Sequence, residues 1–61
     1  MQIGSKFIFK HRVETSVTIT GFTYSEDKLL NRVHFVYNDD LAQRVCSFDV
    51  TEFKLLLKEV A

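Results

Sequence analysis

Val17-Thr18-Ile19-Thr20-Gly21-Phe22-Thr23-Tyr24 is the stretch on which the fold turns. Its apolar residues change parity at the glycine: Val17 and Ile19 sit at odd positions, Phe22 and Tyr24 at even ones. Strand side chains alternate between two faces, so a straight strand would turn one of these pairs to water. An extra residue or a sharp bend at Gly21 brings both pairs to one side. A second strand bent in this way lets a small antiparallel sheet curl over itself.

Outward from that strand the pattern stays β-like on both sides. Lys6 to Val13 reads as a first strand with Phe7, Phe9 and Val13 inward and Lys10 and Arg12 outward, followed by a turn near Glu14-Thr15. The second strand is then Ser16–Tyr24, and Ser25-Glu26-Asp27-Lys28 is a polar turn. From Leu29 to Asn38 a third strand places Val33, Phe35 and Tyr37 on one face and Arg32, His34 and Val36 on the other. Asn38-Asp39-Asp40 is the next turn signal. In a fourth strand, Gln43 to Val50, the inner set is Cys46, Phe48 and Val50, which leaves Val45 outward and Arg44 at the strand's start.

After Val50 the period changes. Phe53, Leu56, Leu57 and Val60 recur at the spacing of a helix packed on one side. Asp49 or Thr51 can cap its start, Glu52 suits its positive end and Lys58 its last turn, while Glu59 does not. The expected class is mainly β with one helix. It is a small curled antiparallel sheet or Src-homology-3-like barrel of four to five strands, followed by a C-terminal helix at about residues 51–60. The 61 residues make a single domain.

Two likenesses go with this order of elements. Lys6-Phe7-Ile8-Phe9-Lys10, Val33-His34-Phe35-Val36-Tyr37 and the terminal Phe53–Val60 segment resemble the small Src-homology-3-like and chromo-like barrels, including archaeal chromatin proteins that end in a helix. Thr18-Ile19-Thr20-Gly21-Phe22, then Arg32–Tyr37, then Phe53 resemble a loose group of short bacterial and phage barrel proteins. The chromatin proteins are strongly basic and use apolar wedges on DNA, whereas this chain is neutral and has no Trp. The resemblance therefore implies a fold, and an accessory or regulatory role of bacterial or phage kind, without carrying over any functional residue.

Composition narrows the function classes. A hydrophobic share of 46%, with six Phe and two Tyr, supplies a core and argues against disorder. A substrate pocket of ~300 Å³ or more is hard to hollow from so thin a body, so no catalysis and no small-molecule substrate are expected. Eight cations balance eight anions, which excludes a histone-like DNA coat and an acidic nucleic-acid mimic. Cys46 stands alone, so no internal disulfide forms, which suits a reducing interior. The first residues lack an apolar run of signal-peptide length and no stretch is apolar enough to cross a membrane; a soluble cytoplasmic protein is the expectation.

Candidate chemistry thins out quickly. The carboxylate pairs Glu26-Asp27 and Asp39-Asp40 flank one strand and fall roughly 25 Å apart, too far to share one bond. His11, His34 and Cys46 show no close ligand pair, so no metal and no cofactor are expected. Cys46 and His34 fall on opposite faces if Cys46 points inward with Phe48, which separates a nucleophile from its base. Lys10, Arg12, Arg32 and His34 can compose a basic sheet face if strands one and three both turn even positions outward. Such a face could track a phosphate backbone, although outward Lys and Arg also protect sheet edges. The surplus apolar residues are Leu30, Val36, Val45 and Leu55. Val36, Val45 and Leu55, rimmed by Arg32, His34 and Arg44, read as a protein-contact surface for a self-dimer or a larger partner. The expected function is a non-catalytic binding module acting by protein–protein contact, with nucleic-acid binding as the alternative.

Overall fold

Residues 1–60 are described by the computed structural model. In it β2 (Arg12–Tyr24) and β3 (Leu30–Tyr37) form the antiparallel pair around which everything else is built. Val17 faces Tyr37 and Ile19 faces Phe35, but Gly21, not Thr20, is the residue opposite His34. Thr20 is thus an extra residue in β2, a bulge one position before the glycine. The slip returns Phe22 to the face already occupied by Val17 and Ile19, opposite the fully buried Val33. The parity change in the sequence is therefore the trace of this bulge.

Gly21 itself is not demanded by the geometry. Its φ is not positive, and a Cβ built there would meet nothing within 4 Å. Gly4, by contrast, has φ +92 in the turn before the first strand, where a glycine is the least strained choice.

β1 (Lys6–Phe9) is shorter than its pattern suggested, because the chain reverses at Lys10-His11. Neither of those residues has positive φ, so the turn is not of the kind that continues the twist of its strands. The ladder breaks beside it: Ile8 faces Ser16 while Phe9 faces Arg12, leaving Val13, Glu14 and Thr15 unpaired with β1. The expected turn at Glu14-Thr15 lies inside this irregularity, and Val13 is exposed instead of inward. Tyr24 also departs from expectation. It shares the core side with Phe22, their rings 6.4 Å apart, but lies past the end of the core and is 59% exposed.

β4 (Val45–Asp49) pairs with β3 in the expected orientation, placing Cys46 opposite Phe35 and Phe48 opposite Val33. Asp49 then caps α1 (Val50–Leu56), its carboxylate accepting from the Thr51 N–H at 2.8 Å. The helix stops at Leu56, short of the expected residue 60. β5 (Leu57–Glu59) follows at once, antiparallel to β1 with Phe9 facing Leu57. Leu57 donates back to the Phe53 carbonyl, and Lys10 caps the last turn twice, through its N–H to the Leu56 carbonyl and its Nζ to the Lys54 carbonyl. Pairing with β1 satisfies backbone groups that a longer helix would have left open at that edge. Helical spacing marks Leu57 as inward whether the helix continues or a strand replaces it. Val60 is 46% exposed.

The sheet order is β4-β3-β2-β1-β5, with β4 and β5 as unjoined edges, so the sheet is not closed into a barrel. It is nevertheless curled. Asp49 lies at the Thr23 end of β2 and Leu57 at the Arg12 end, on opposite edges. In a flat sheet those points would be about 30 Å apart, from strand spacing and rise. The seven-residue helix that joins them spans only about 12 Å. Coiling of the sheet makes up the difference, and the helix bridges its concave side.

Within that concavity Phe35, Phe53, Ile19, Val17 and Val33 are fully buried, with Phe7 and Leu57 nearly so. Phe53 meets Phe7 edge-on at 4.9 Å and Phe35 at 5.9 Å, while Phe35 also contacts Phe48 at 5.2 Å. Each such pair contributes roughly 0.5–1.5 kcal/mol beyond its area.

Two measurements follow from this core. Phe53→Ala should lower unfolding free energy by about 3–5 kcal/mol in urea titration, since it removes the helix's only fully buried anchor. Gly21→Ala should leave stability unchanged or raise it by about 0.5–1 kcal/mol, because neither space nor φ resists the methyl group. A loss above that range would show that the bulge needs glycine after all.

Candidate protein-contact surface

An antiparallel sheet with one face packed commonly leaves the other to solvent, and here the convex face carries no helix. Arg32, His34 and Val36 on β3 line it, opposite Asp49, Ser47 and Val45 of β4. The Arg32 guanidinium donates to the Ser47 hydroxyl at 3.1–3.2 Å and to its carbonyl at 3.4 Å. His34 Nε2 and the Thr23 hydroxyl share a bond of 2.6 Å. Farther along, Asn38 donates to Ser16 at 2.8 Å, and Thr18 donates to Asn38. The convex face is a hydroxyl- and amide-bonded surface, ordered by cross-strand pairs rather than by apolar packing.

The six residues expected to form the contact surface do not all meet. Arg32, His34 and Val45 share the convex face, and Arg44 stands at its rim just before β4. Val36 is on the same face but only 8% exposed, sitting on an inner strand between Thr18 and Val45. It offers little surface to a partner. Leu55 is 68% exposed but belongs to α1, which covers the concave side, so it faces away from the other five. Parity within strands was legible; which side the helix would cover was not.

The basic face divides in the same way. Lys10 turns to the C-terminal carbonyls of α1, and Arg12 begins β2. Arg32 faces Thr23 near the other end of that strand. The two ends are separated by on the order of 20 Å along the ladder. Lys10 and Arg12 are therefore not brought together with Arg32 and His34. Cys46 and His34 lie on opposite faces, as their registers with Phe35 and Ser47 require. The carboxylate pairs occupy the turns at the two ends of β3. Among the described residues no cluster of three or more His, Cys, Asp or Glu side chains is close enough to hold a metal ion.

The feature that sequence reading missed is the loop that sets up β4. Asp40 accepts from the Ala42 and Arg44 N–H groups and from the Arg44 Nε, all within 3.0–3.2 Å. Gln43 enters the left-handed region at φ 55 to make the reversal. Asp-rich turns announce such loops, but the closing partner four residues on is visible only in space. The Arg44 side-chain hydrogen bond, followed by those from the Ala42 and Arg44 backbones, holds the Asp40 carboxyl below the ordinary aspartate range. Arg44 thus serves the loop that launches β4 before it serves any partner.

No protein-family model, curated protein or solved structure matches this chain. No helix is long and apolar enough to cross a membrane among the described residues.

A depressed folded-state pKa means stabilisation present above the unfolded value and lost as pH falls through the folded one. Arg44→Ala should therefore move the Asp40 titration upward, toward the ordinary carboxylate range, in a carbon-detected NMR titration. An unmoved midpoint would show that the backbone donors alone set it.

Proposed function

We propose that this chain is a non-catalytic binding module that works by protein–protein contact through the β3–β4 side of its convex sheet face. One observation carries the reading. Val45 is 63% exposed on the edge strand β4, facing Val36 and diagonal to His34, with Arg32 farther along the same face and Arg44 just before the strand. An apolar residue framed by cations and hydroxyls that already hold fixed geometry presents a partner with little left to order. The contact set is revised accordingly to Val45, Arg32, His34 and Arg44, with Val36 as support beneath and Leu55 set apart. The bacterial or phage accessory role suggested by the Src-homology-3-like resemblance belongs to this proposal. The curled sheet and the long, bulged β2 support that resemblance. Binding along a nucleic acid is disfavoured by the separation of Lys10 and Arg12 from Arg32 and His34.

Affinity capture from the cells that express the chain tests this, comparing native protein with Val45→Glu, Arg32→Glu and the turn variant Glu26→Lys. A protein enriched at least about tenfold by the native chain should be lost with the first two variants and kept with the third, a tenfold change being about 1.4 kcal/mol. Equal enrichment with all four, or enrichment that nuclease treatment abolishes, overturns the proposal.

A further inference from the structure

β4 and β5 both end the sheet, but only one of these edges is guarded. β5 is three residues long and carries Lys58 and Glu59, and its core residue Leu57 is almost fully buried. Brevity and charge are the usual means of keeping an edge from recruiting another strand. β4 has no lysine, proline or bulge of its own, and its ladder to β3 is regular over all five residues. Arg32 reaches it from β3, on the convex face, at the Ser47 hydroxyl and carbonyl. The core-facing residues of β4, Cys46 and Phe48, with Val50 just beyond, are only half-buried. Among the core-cluster residues of β2 and β3, half-burial is confined to Phe22, Leu30 and Tyr37 toward the strand ends, while Val17, Ile19, Val33 and Phe35 between them are closed. The concave core is therefore open along this edge.

We infer that the β4 edge pairs with the β4 edge of a second copy of the same chain, antiparallel and centred on Ser47, making one continuous ten-stranded sheet. This deepens the proposed function by naming a partner for the same side of the molecule, and rests on that reading of it as a contact surface. The self-pairing is favoured by the strand's own sequence. With the two-fold axis at Ser47, Val45 faces the partner's Asp49, Cys46 faces its Phe48, and all five residues find a counterpart. The core-facing side chains then meet core-facing side chains, so the open margin of one aromatic cluster is closed by the other. Asp49 is the only charged residue in β4, and the axis sets the two copies of it about 13 Å apart, beyond effective range at physiological salt. A neutral chain adds no net repulsion between copies. Moving the axis to Phe48 would bring the aspartates together, and moving it to Cys46 would set Phe48 against the partner's Arg44.

Sedimentation equilibrium from micromolar to several hundred micromolar protein tests the pairing. The native chain should pass from one to two chains in weight-average mass. Ser47→Lys, which sets two ammonium groups face to face, should weaken the dimer at least about tenfold. Should that variant fail to fold, Cys46→Ala/Ser47→Cys reads the same geometry. Its thiols would lie at a Cα separation of about 4.5–5.5 Å, within disulfide reach. Under mild oxidation it should cross-link at least about tenfold faster than Cys46→Ala/Ser25→Cys, whose thiol sits in a turn. A native chain that stays monomeric throughout, a dimer indifferent to Ser47→Lys, or equal cross-linking rates would each overturn the inference. A monomer that still captures a different protein through Val45 would sink the self-pairing alone and leave the proposed function standing.

Discussion

Phe53 is the residue that converts a strip of antiparallel sheet into a curled body with a packed core. It projects from a helix of only seven residues and is fully buried against Phe7 and Phe35, which lie on β1 and β3. A helix this short has little stability of its own, so its existence depends on the tertiary contact rather than on propensity. The same contact draws together two sheet edges that would stand far apart in a flat sheet. Lys10, reaching from the β1–β2 turn to the last carbonyls of the helix, locks the arrangement at its other end.

For that anchor to work, β2 must present apolar residues to one side along most of its thirteen-residue length while bending. The Thr20 bulge achieves both, since an inserted residue flips parity and increases local twist. It also decides what the outside looks like. Downstream of the bulge Thr23 comes onto the convex face and meets His34; upstream, Thr18 and Ser16 meet Asn38. The concave packing and the convex polar ladder are thus two consequences of one slip in register.

The candidate contact surface was partly legible before any coordinates. Alternation along β3 and β4 placed Arg32, His34 and Val45 together, because strand parity is a property of the chain alone. Leu55 and Lys10 were misplaced for a shared reason: their positions depend on which face the helix covers and where it ends. Val36 was read correctly as convex but not as buried, since burial of a central-strand side chain depends on neighbours contributed by other strands. The half-buried margin at Cys46, Phe48 and Val50 has no sequence signature at all. β4 is last in the sheet, so no further strand of the chain covers its outer side.

What the residues determined by themselves was local and periodic. They set β3, β4 and the Ser16–Tyr24 part of β2 with their inward faces, a helix cap at Asp49 or Thr51, the polar turns around β3, and the change of phase beside Gly21 that records a bulge. Those features follow from backbone geometry and side-chain alternation over a few residues. Only the tertiary structure decided that the helix ends at Leu56 and yields to a strand, because the open edge of β1 is supplied from the far end of the sequence. It alone decided that β5 is a guarded edge and β4 an open one. Helical spacing and strand alternation both bury Leu57, and the choice between them was made by hydrogen bonds to residues some fifty positions away.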